Sequence, residues 1–142
     1  IADEKQIIEK VLNSFGFELL EDRTTRIIEQ IKKLLIHLVH DYNKSSKINL
    51  SDYLVDKLCH DYSFLSKLFS QEEGVTIEHY FILQKVEKIK ELLKDGELSL
   101  KEISDRLNYS SMAHLSSQFK KITGFTITDF KKLKGSNRKK NR

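Results

Sequence analysis

The sequence predicts an all-α fold that contains a duplicated helical unit. The chain has 142 residues with no proline and only five glycines, so little interrupts helix formation. It also repeats itself: residues 64–80 read FLSKLFSQEEGVTIEHY, and residues 114–130 read HLSSQFKKITGFTITDF. In both stretches a helical apolar pattern is followed by a glycine and then by a threonine that can cap another helix.

The first third of the chain predicts two helices separated by a short strand. Apolar residues recur at helical spacing from Asp3 to Phe15, and Gly16 is a suitable C-terminal cap. The segment GFELLED, residues 16–22, resembles a single strand. Thr24 or Thr25 can then cap a second helix that reaches about Asp41.

A polar connector and the first copy of the helical unit follow. The stretch YNKSSKIN, residues 42–49, has no apolar periodicity and is predicted to be a loop. Helices are predicted over about 51–58 and 63–72, with Gly74 closing the second. A longer helix is predicted over about 76–94, and it joins the two copies.

The second copy has the same layout. Residues 95–99, DGELS, break the chain, and Ser99 caps a helix predicted to end near Leu107. The turn NYSS precedes a helix predicted over 112–122, and a last helix, capped by Thr126, is predicted to reach about Leu133. The sequence therefore predicts two subdomains joined by a long helix, with a helical N-terminal appendage that includes one short strand.

Each subdomain has a helix, a turn of a few residues and a second helix, which is the helix-turn-helix arrangement. The second helix keeps an apolar side, formed by Phe64, Leu65, Leu68 and Phe69 in the first copy and by Leu115 and Phe119 in the second. Small hydroxyls and cations on the other side suit a groove with base edges inside and phosphates along its walls, although ordinary solvent-facing helices carry the same residues. They are Ser63, Ser66, Lys67, Ser70 and Gln71, and then His114, Ser117, Gln118, Lys120 and Lys121.

Spacing and charge favour DNA as the partner. The joining helix spans roughly 28 Å at about 1.5 Å per residue, and two recognition helices enter successive major-groove segments when they lie about 34 Å apart. Residues 44–142 carry 19 Lys and Arg against 13 Asp and Glu, as suits a polyanionic partner. The terminal KKLKGSNRKKNR fits contact with DNA and an ordinary soluble tail equally well.

Residues from about Ile48 to Lys134 resemble the DNA-binding domain of the AraC/XylS family of bacterial transcription regulators. The most specific stretch is LKEISDRLNYSSMAHLSSQFKKITGFT, residues 100–126, and LSDYLVDKLCHDYSFLSKLFSQEEG matches the same family less strongly. The resemblance implies a sequence-specific DNA-binding regulator that places two recognition helices in successive major-groove segments. It implies no enzymatic activity, cofactor or metal. A single cysteine and the lack of a long apolar run agree with a cytoplasmic protein.

The resemblance also implies which residues touch DNA. Ser117 stands where the family often has arginine, which removes a bidentate contact to guanine. Cys59 and Asn108 stand where the turns often have glycine; asparagine tolerates a left-handed backbone and cysteine does so poorly. The implied base-facing residues are Ser63, Ser66, Lys67, Met112, Ala113, His114, Ser116 and Ser117, and the implied phosphate contacts are Lys120, Lys121, Thr76 and Thr126.

The predicted segments are 1–22, 23–43, 44–134 and 135–142. The first resembles the end of a small ferredoxin-like domain of the heavy-metal-associated type, but it lacks that group's CxxC, so no metal ligand is carried over. The second is a linker or dimerisation helix, the third is the DNA-binding domain and the fourth is a basic tail. The expected partners are double-stranded DNA, RNA polymerase and a second copy bound through the N-terminal helices.

The sequence leaves two other classes of protein to consider. A helical protein-interaction module with the same fold and without DNA binding is compatible with Ser117. An enzyme is disfavoured because no catalytic set converges: His37 and His40 lack a third ligand, and Cys59 and His60 lack an orienting group. The operator, the effector and the direction of regulation stay open.

Overall fold

A computed structural model describes residues 2–41 and 49–140, with side chains described except at 2, 17, 18 and 134–140. Within these residues there are seven helices and no strand, which confirms the all-α class. The helices are α1 (Ala2–His40), α2 (Leu50–Leu58), α3 (Tyr62–Glu73), α4 (Ile77–Asp95), α5 (Leu100–Arg106), α6 (Met112–Thr123) and α7 (Ile127–Lys140). None of the described helices is both long enough and apolar enough to cross a membrane.

The N-terminal third differs from its prediction. A single helix, α1, runs from Ala2 to His40 through the predicted strand at 16–22, so Gly16 does not end a helix and Thr24 and Thr25 do not begin one. One glycine inside a helix costs only about 1 kcal/mol relative to alanine, and a strand without a partner cannot satisfy its backbone groups. The strand prediction is therefore wrong. The predicted connector at 42–49 lies outside the described residues apart from Asn49.

The first of two hydrophobic cores lies between the second half of α1, α2, α3 and the start of α4. Lys32 of α1 and Glu73 of α3 form an ion pair at its edge. The hydrogen bond that the Lys32 ammonium donates to this carboxylate raises the pKa of Lys32. The buried residues of this core are Ile27, Ile28, Ile31, Leu35, Leu54, Leu65, Phe69 and Ile77.

The second core lies between α4, α5, α6 and α7, with Val39 as the contribution of α1. Phe81 of α4 packs against both cores. Because its N-terminal end lies in the first core and the rest of it in the second, α4 joins the two units. The buried residues of the second core are Val39, Val86, Ile89, Leu92, Ile103, Leu107, Tyr109, Leu115, Phe119 and Ile127.

Residues 50 positions apart make the same contacts in the two cores. The rings of Phe69 and Tyr80 pack edge to face at 5.4 Å, and those of Phe119 and Phe130 do so at 5.5 Å. Leu65 and its counterpart Leu115 are both fully buried. The repeated sequence thus encodes repeated packing.

The helix ends between residues 49 and 127 follow the sequence signals closely, whereas α7 continues to Lys140, beyond its predicted end near Leu133. The left-handed residues Gly74 and Gly124 end α3 and α6 with φ of 75° and 83°. Ser99 and Glu102 form a reciprocal capping box at the start of α5. The cap of α2 is Asn49, whose side chain accepts hydrogen bonds from the backbone N–H groups of Ser51 and Asp52.

Candidate nucleic-acid interface

The polar sides of α3 and α6 are exposed at equivalent positions. On α3, Ser63, Lys67 and Gln71 follow one another at intervals of four and are all exposed, while Ser66 is half-buried. Side chains four residues apart lie on one face of a helix. On α6, Met112, Ala113, His114, Ser117, Lys120 and Lys121 are exposed, and Ser116 is half-buried.

The start of α6 is held by short-range contacts to His114. Ser111 caps the helix, and its hydroxyl accepts a hydrogen bond from the backbone N–H of His114 at 3.0 Å. The hydroxyl of Ser110 lies 3.1 Å from Nδ1 of the same histidine, whose ring packs edge-on against Tyr109 at 5.2 Å between centroids. The imidazole is therefore exposed but restricted in orientation.

Tyr109 connects α6 to the long helix α4. Its hydroxyl donates a hydrogen bond of 2.6 Å to Oε1 of Gln118 on α6. Burial of the ring raises the pKa of Tyr109 to about 12, so the hydroxyl stays protonated as a donor. Lys85 of α4 contacts the face of the same ring. The second unit thus fixes α6 through a buried aromatic residue in its turn.

Sequence reasoning missed Phe64 as a surface residue. The sequence pattern places it on the apolar side of α3, but its side chain is 47% exposed, and its ring lies 5.1 Å from that of His60. His60 and Phe64 occupy the positions equivalent to Ser110 and His114 in the second unit. The repeat, in which equivalent residues are 50 positions apart, pairs Phe64 with the exposed His114. This pairing is the signal that identifies Phe64 as a surface residue.

Thr76 and Thr126 serve as caps of the helices that follow. The Thr76 hydroxyl accepts a hydrogen bond from the backbone N–H of His79, and the Thr126 hydroxyl accepts one from Asp129, both at 3.0 Å. Each hydroxyl is thus used within the protein, and the remaining first-turn amides are the groups available to an anion.

Acidic side chains lie close to both helix starts. Glu78 in the first turn of α4 accepts a hydrogen bond from the hydroxyl of Tyr62, and Asp129 lies in the first turn of α7. The pKa of Tyr62 is raised, mainly by burial and in second place by this hydrogen bond to Glu78. The carboxylates reduce the attraction of these helix starts for phosphate.

The charged residues of α6 are more favourable for contact with phosphate. Its first turn has no acidic residue and its last turn carries Lys120 and Lys121. The first turn of α3 also lacks acidic residues, and its exposed cation is Lys67. The first turns of α3 and α6 thus carry no carboxylate, although the exposed Asp61 is the N-cap residue of α3.

Metal ligation receives no support from the part of the chain that the structure describes. Across residues 2–41 and 49–140, no three His, Cys, Asp or Glu side chains are grouped in a way that could hold a metal ion. His37, considered as a ligand with His40, lies 3.8 Å from the carboxylate of Asp41 through Nε2. Cys59 is exposed and forms no disulfide.

Known proteins resemble this chain in both sequence and fold. A family model described as a helix-turn-helix domain matches residues 54–133. The Msm operon regulatory protein of Streptococcus mutans is 26% identical over 130 residues, which cover 89% of this chain and 45% of that protein. The xylose operon regulatory protein of Escherichia coli K12 is 30% identical over 114 residues, covering 80% of this chain and 29% of that protein.

The fold resembles that of a solved regulator domain. The C-terminal domain of AraT, a response regulator from Geobacillus stearothermophilus, superposes with a TM-score of 0.65 at 24% identity, covering 75% of this chain and 84% of that one. This likeness concerns the fold alone. The chain spans less than half the length of the curated relatives that it matches.

Proposed function

The chain belongs to the AraC/XylS family of helix-turn-helix transcription regulators, and from this premise we propose that it binds DNA sequence-specifically through two recognition helices. The pairs α2–α3 and α5–α6 are the two helix-turn-helix units, and α3 and α6 enter successive major-groove segments. In this proposal the protein acts by binding DNA and catalyses no reaction.

The observation that carries this proposal is the equivalence of two exposed helix faces on equivalently packed units. Residues 63, 67 and 71 on α3 correspond to residues 113, 117 and 121 on α6, and all six are exposed. The 19 residues of α4 between the units span roughly 28 Å. That length, with the offset of each unit from the axis of α4, is compatible with the groove spacing of about 34 Å.

The proposed contacts divide into two kinds. Ser63, Ser66 and Lys67 on α3, with Gln71 at its end, face bases or the groove wall. On α6 the base-facing residues are Met112, Ala113, His114, Ser116 and Ser117. Lys120 and Lys121 neutralise phosphates, and the amides of the helix starts capped by Thr76 and Thr126 contact further phosphates.

The test is a salt titration of binding to random-sequence duplex DNA, followed by fluorescence anisotropy. Lys120→Gln and Lys121→Gln should each reduce the slope of log affinity against log salt by about 0.9, since each phosphate contact releases counterions. Lys33→Gln, an exposed lysine of α1, is the matched control and should leave the slope unchanged. An absence of binding at low salt would overturn the proposal in favour of a protein-interaction module.

The proposal has further parts that concern the rest of the chain. The DNA-binding domain covers residues 44–134, preceded by a linker or dimerisation helix that forms part of α1 and followed by a basic tail. RNA polymerase contacts the regulator when it is on DNA, and the protein acts in the bacterial cytoplasm. Two copies associate through their N-terminal helices, so that one complex presents four recognition helices.

A further inference from the structure

The first half of α1 carries a stripe of apolar side chains that face solvent. They are between 53% and 63% exposed. Single exposed apolar residues are normal, but a continuous stripe of this kind marks an interaction site. The stripe consists of Ile7, Ile8, Val11, Leu12, Phe15, Leu19 and Leu20.

The stripe points away from the body of its own domain. Ile28 and Leu35, in the second half of α1, are buried in the first core. Leu12 and Ile28 are sixteen residues apart, as are Leu19 and Leu35, and at about 100° per residue each pair lies roughly 160° apart around the helix. The two apolar faces of α1 are thus nearly opposite, and the described domain packs on only one of them.

The centre of the stripe has the spacing of a coiled-coil seam. Ile8, Leu12, Phe15 and Leu19 follow one another at intervals of four, three and four residues. This alternation places side chains at successive a and d positions of the heptad. A face with this pattern is complementary to another helix that carries the same pattern.

Charged residues continue the seam at both ends and distinguish the two orientations of a pair. Lys5 stands three residues before Ile8, and Asp22 stands three residues after Leu19. In a parallel pair each of them would face its own copy, and like charges would meet at both ends. In an antiparallel pair Lys5 faces Asp22 of the partner subunit at both ends, with Leu12 against Phe15 of the partner subunit at the centre.

We propose that a second copy of this chain covers the stripe, and that the two α1 helices pair antiparallel over residues 5–22. This deepens the proposed function, on whose dimer it rests, by assigning the contact surface and its orientation. Asp22 also pairs with Arg26 of its own helix at 3.2 Å, but both side chains are two-thirds exposed. Such a contact is weak and exchanges readily for one across the dimer.

Charge reversal tests the orientation. In sedimentation equilibrium, Lys5→Glu and Asp22→Lys should each raise the dimer Kd by about tenfold, because each creates two like-charge contacts across the pair. The double variant restores both contacts with reversed polarity and should return close to the wild-type Kd. In a parallel pair each single variant would only exchange one like-charge contact for another, so unchanged single variants overturn the orientation.

Disulfide trapping gives an independent readout. In a Cys59→Ser background, a mixture of Ile8→Cys and Leu19→Cys chains should form the mixed crosslink and little of either homodimer. Predominant crosslinking of each variant to itself would overturn antiparallel pairing.

Two further outcomes separate this inference from the proposed DNA binding. A chain that stays monomeric yet binds random DNA would overturn the dimer and leave the DNA-binding proposal standing. A chain that dimerises as described without binding DNA would support the pairing and overturn the DNA-binding proposal.

Discussion

The ammonium of Lys85 lies 4.5 Å from the centroid of the Tyr109 ring, in a cation–π contact between α4 and the turn that precedes α6. The same ammonium lies 5.2 Å from the ring of Phe81. Tyr109 in turn bonds Gln118 and packs on His114. A half-buried cation on the long helix therefore supports the residue that orients α6.

Replacing Lys85 with methionine should make the free energy of unfolding less dependent on pH in the alkaline range. Burial lowers the pKa of Lys85 below 10.5, so the folded state binds this proton less tightly than the unfolded chain does. Its contribution to stability is therefore greatest above pH 10.5 and is lost as the pH falls towards the lowered pKa. Relative to Lys85→Met, the wild type should gain stability in urea denaturation as the pH rises from 7 to 10.5.

Lys33→Met, at an exposed position on α1, is the control and should show no change in relative stability over this pH range. Tyr109 is present in every variant, so its own titration cancels in the comparison to first order. A wild type that loses stability relative to Lys85→Met as the pH rises would contradict the assignment of a desolvated ammonium.

Replacing Cys59 with glycine should stabilise the first unit. Cys59 has φ of 56°, and Asn108, in the corresponding turn of the second unit, has φ of 61°. A left-handed backbone costs an L-residue about 1–2 kcal/mol. Glycine avoids this strain, but it loses more conformational entropy on folding, which offsets about 0.5–1 kcal/mol of the gain. Cys59→Gly should thus raise the free energy of unfolding by about 0.5–1 kcal/mol.

Asn108→Gly is the matched comparison for Cys59→Gly. Asparagine tolerates the left-handed region, so this substitution should change the free energy of unfolding by less than half as much. Urea denaturation of both variants measures the two effects. Equal gains at the two positions would show that residue type does not matter in these turns.

The part of the fold that the sequence predicts well is the part encoded by local chemistry. The threonine, glycine and serine signals after residue 50 act within a few residues: Thr76 bonds the backbone of His79, and Gly74 takes the left-handed conformation that ends α3. The repeat supplied a second, independent copy of each signal. Helix boundaries between residues 50 and 127 therefore agree with the sequence prediction to within about two residues. The end of α7 does not, because this helix runs to Lys140 and not only to about Leu133.

The failures involve information that local patterns do not contain. GFELL resembles a strand, yet the helical residues on both sides and the lack of a partner strand among residues 2–41 and 49–140 favour continuation of α1. Phe64 is apolar like a core residue, but at the first turn of α3 its side chain is 47% exposed. Asn49 caps α2, so that this helix begins at Leu50, one residue before its predicted start.

Gly16→Ala tests the continuity of α1 directly. Nothing lies within 4 Å of a Cβ placed on Gly16, and alanine in a helix interior is favoured over glycine by about 0.5–1 kcal/mol. The variant should therefore slow amide hydrogen exchange around residue 16 and raise helical circular dichroism. If Gly16 instead ended a helix, as the sequence pattern predicts, alanine would speed amide hydrogen exchange and lower helical circular dichroism.

Gly74→Ala is the control for this substitution. Gly74 also has open space around it, but its φ is 75°, so the added Cβ meets backbone strain and should destabilise the protein by about 1 kcal/mol. The two variants thus share a chemical change and differ in sign because only one position requires a left-handed backbone.

Ser117→Arg should introduce a preference for guanine in the DNA read by the second unit. Ser117 is the counterpart of Lys67, and both side chains are exposed at the centre of their helix faces. The serine hydroxyl is too short for a bidentate contact, whereas arginine can donate to O6 and N7 of guanine. The gain in discrimination at one base pair should be about 1–3 kcal/mol. Selection from randomised duplexes, with wild type and variant in parallel, measures it.

Thr128→Arg adds the same charge at an exposed position on α7 and separates base reading from attraction to phosphate. It should strengthen binding to all sequences alike, since a phosphate contact carries no base information. Ser117→Arg should instead enrich one guanine position while the remaining positions keep their wild-type preferences. If both variants strengthen binding uniformly, residue 117 lies over the sugar-phosphate backbone, and α6 does not present this face to the bases.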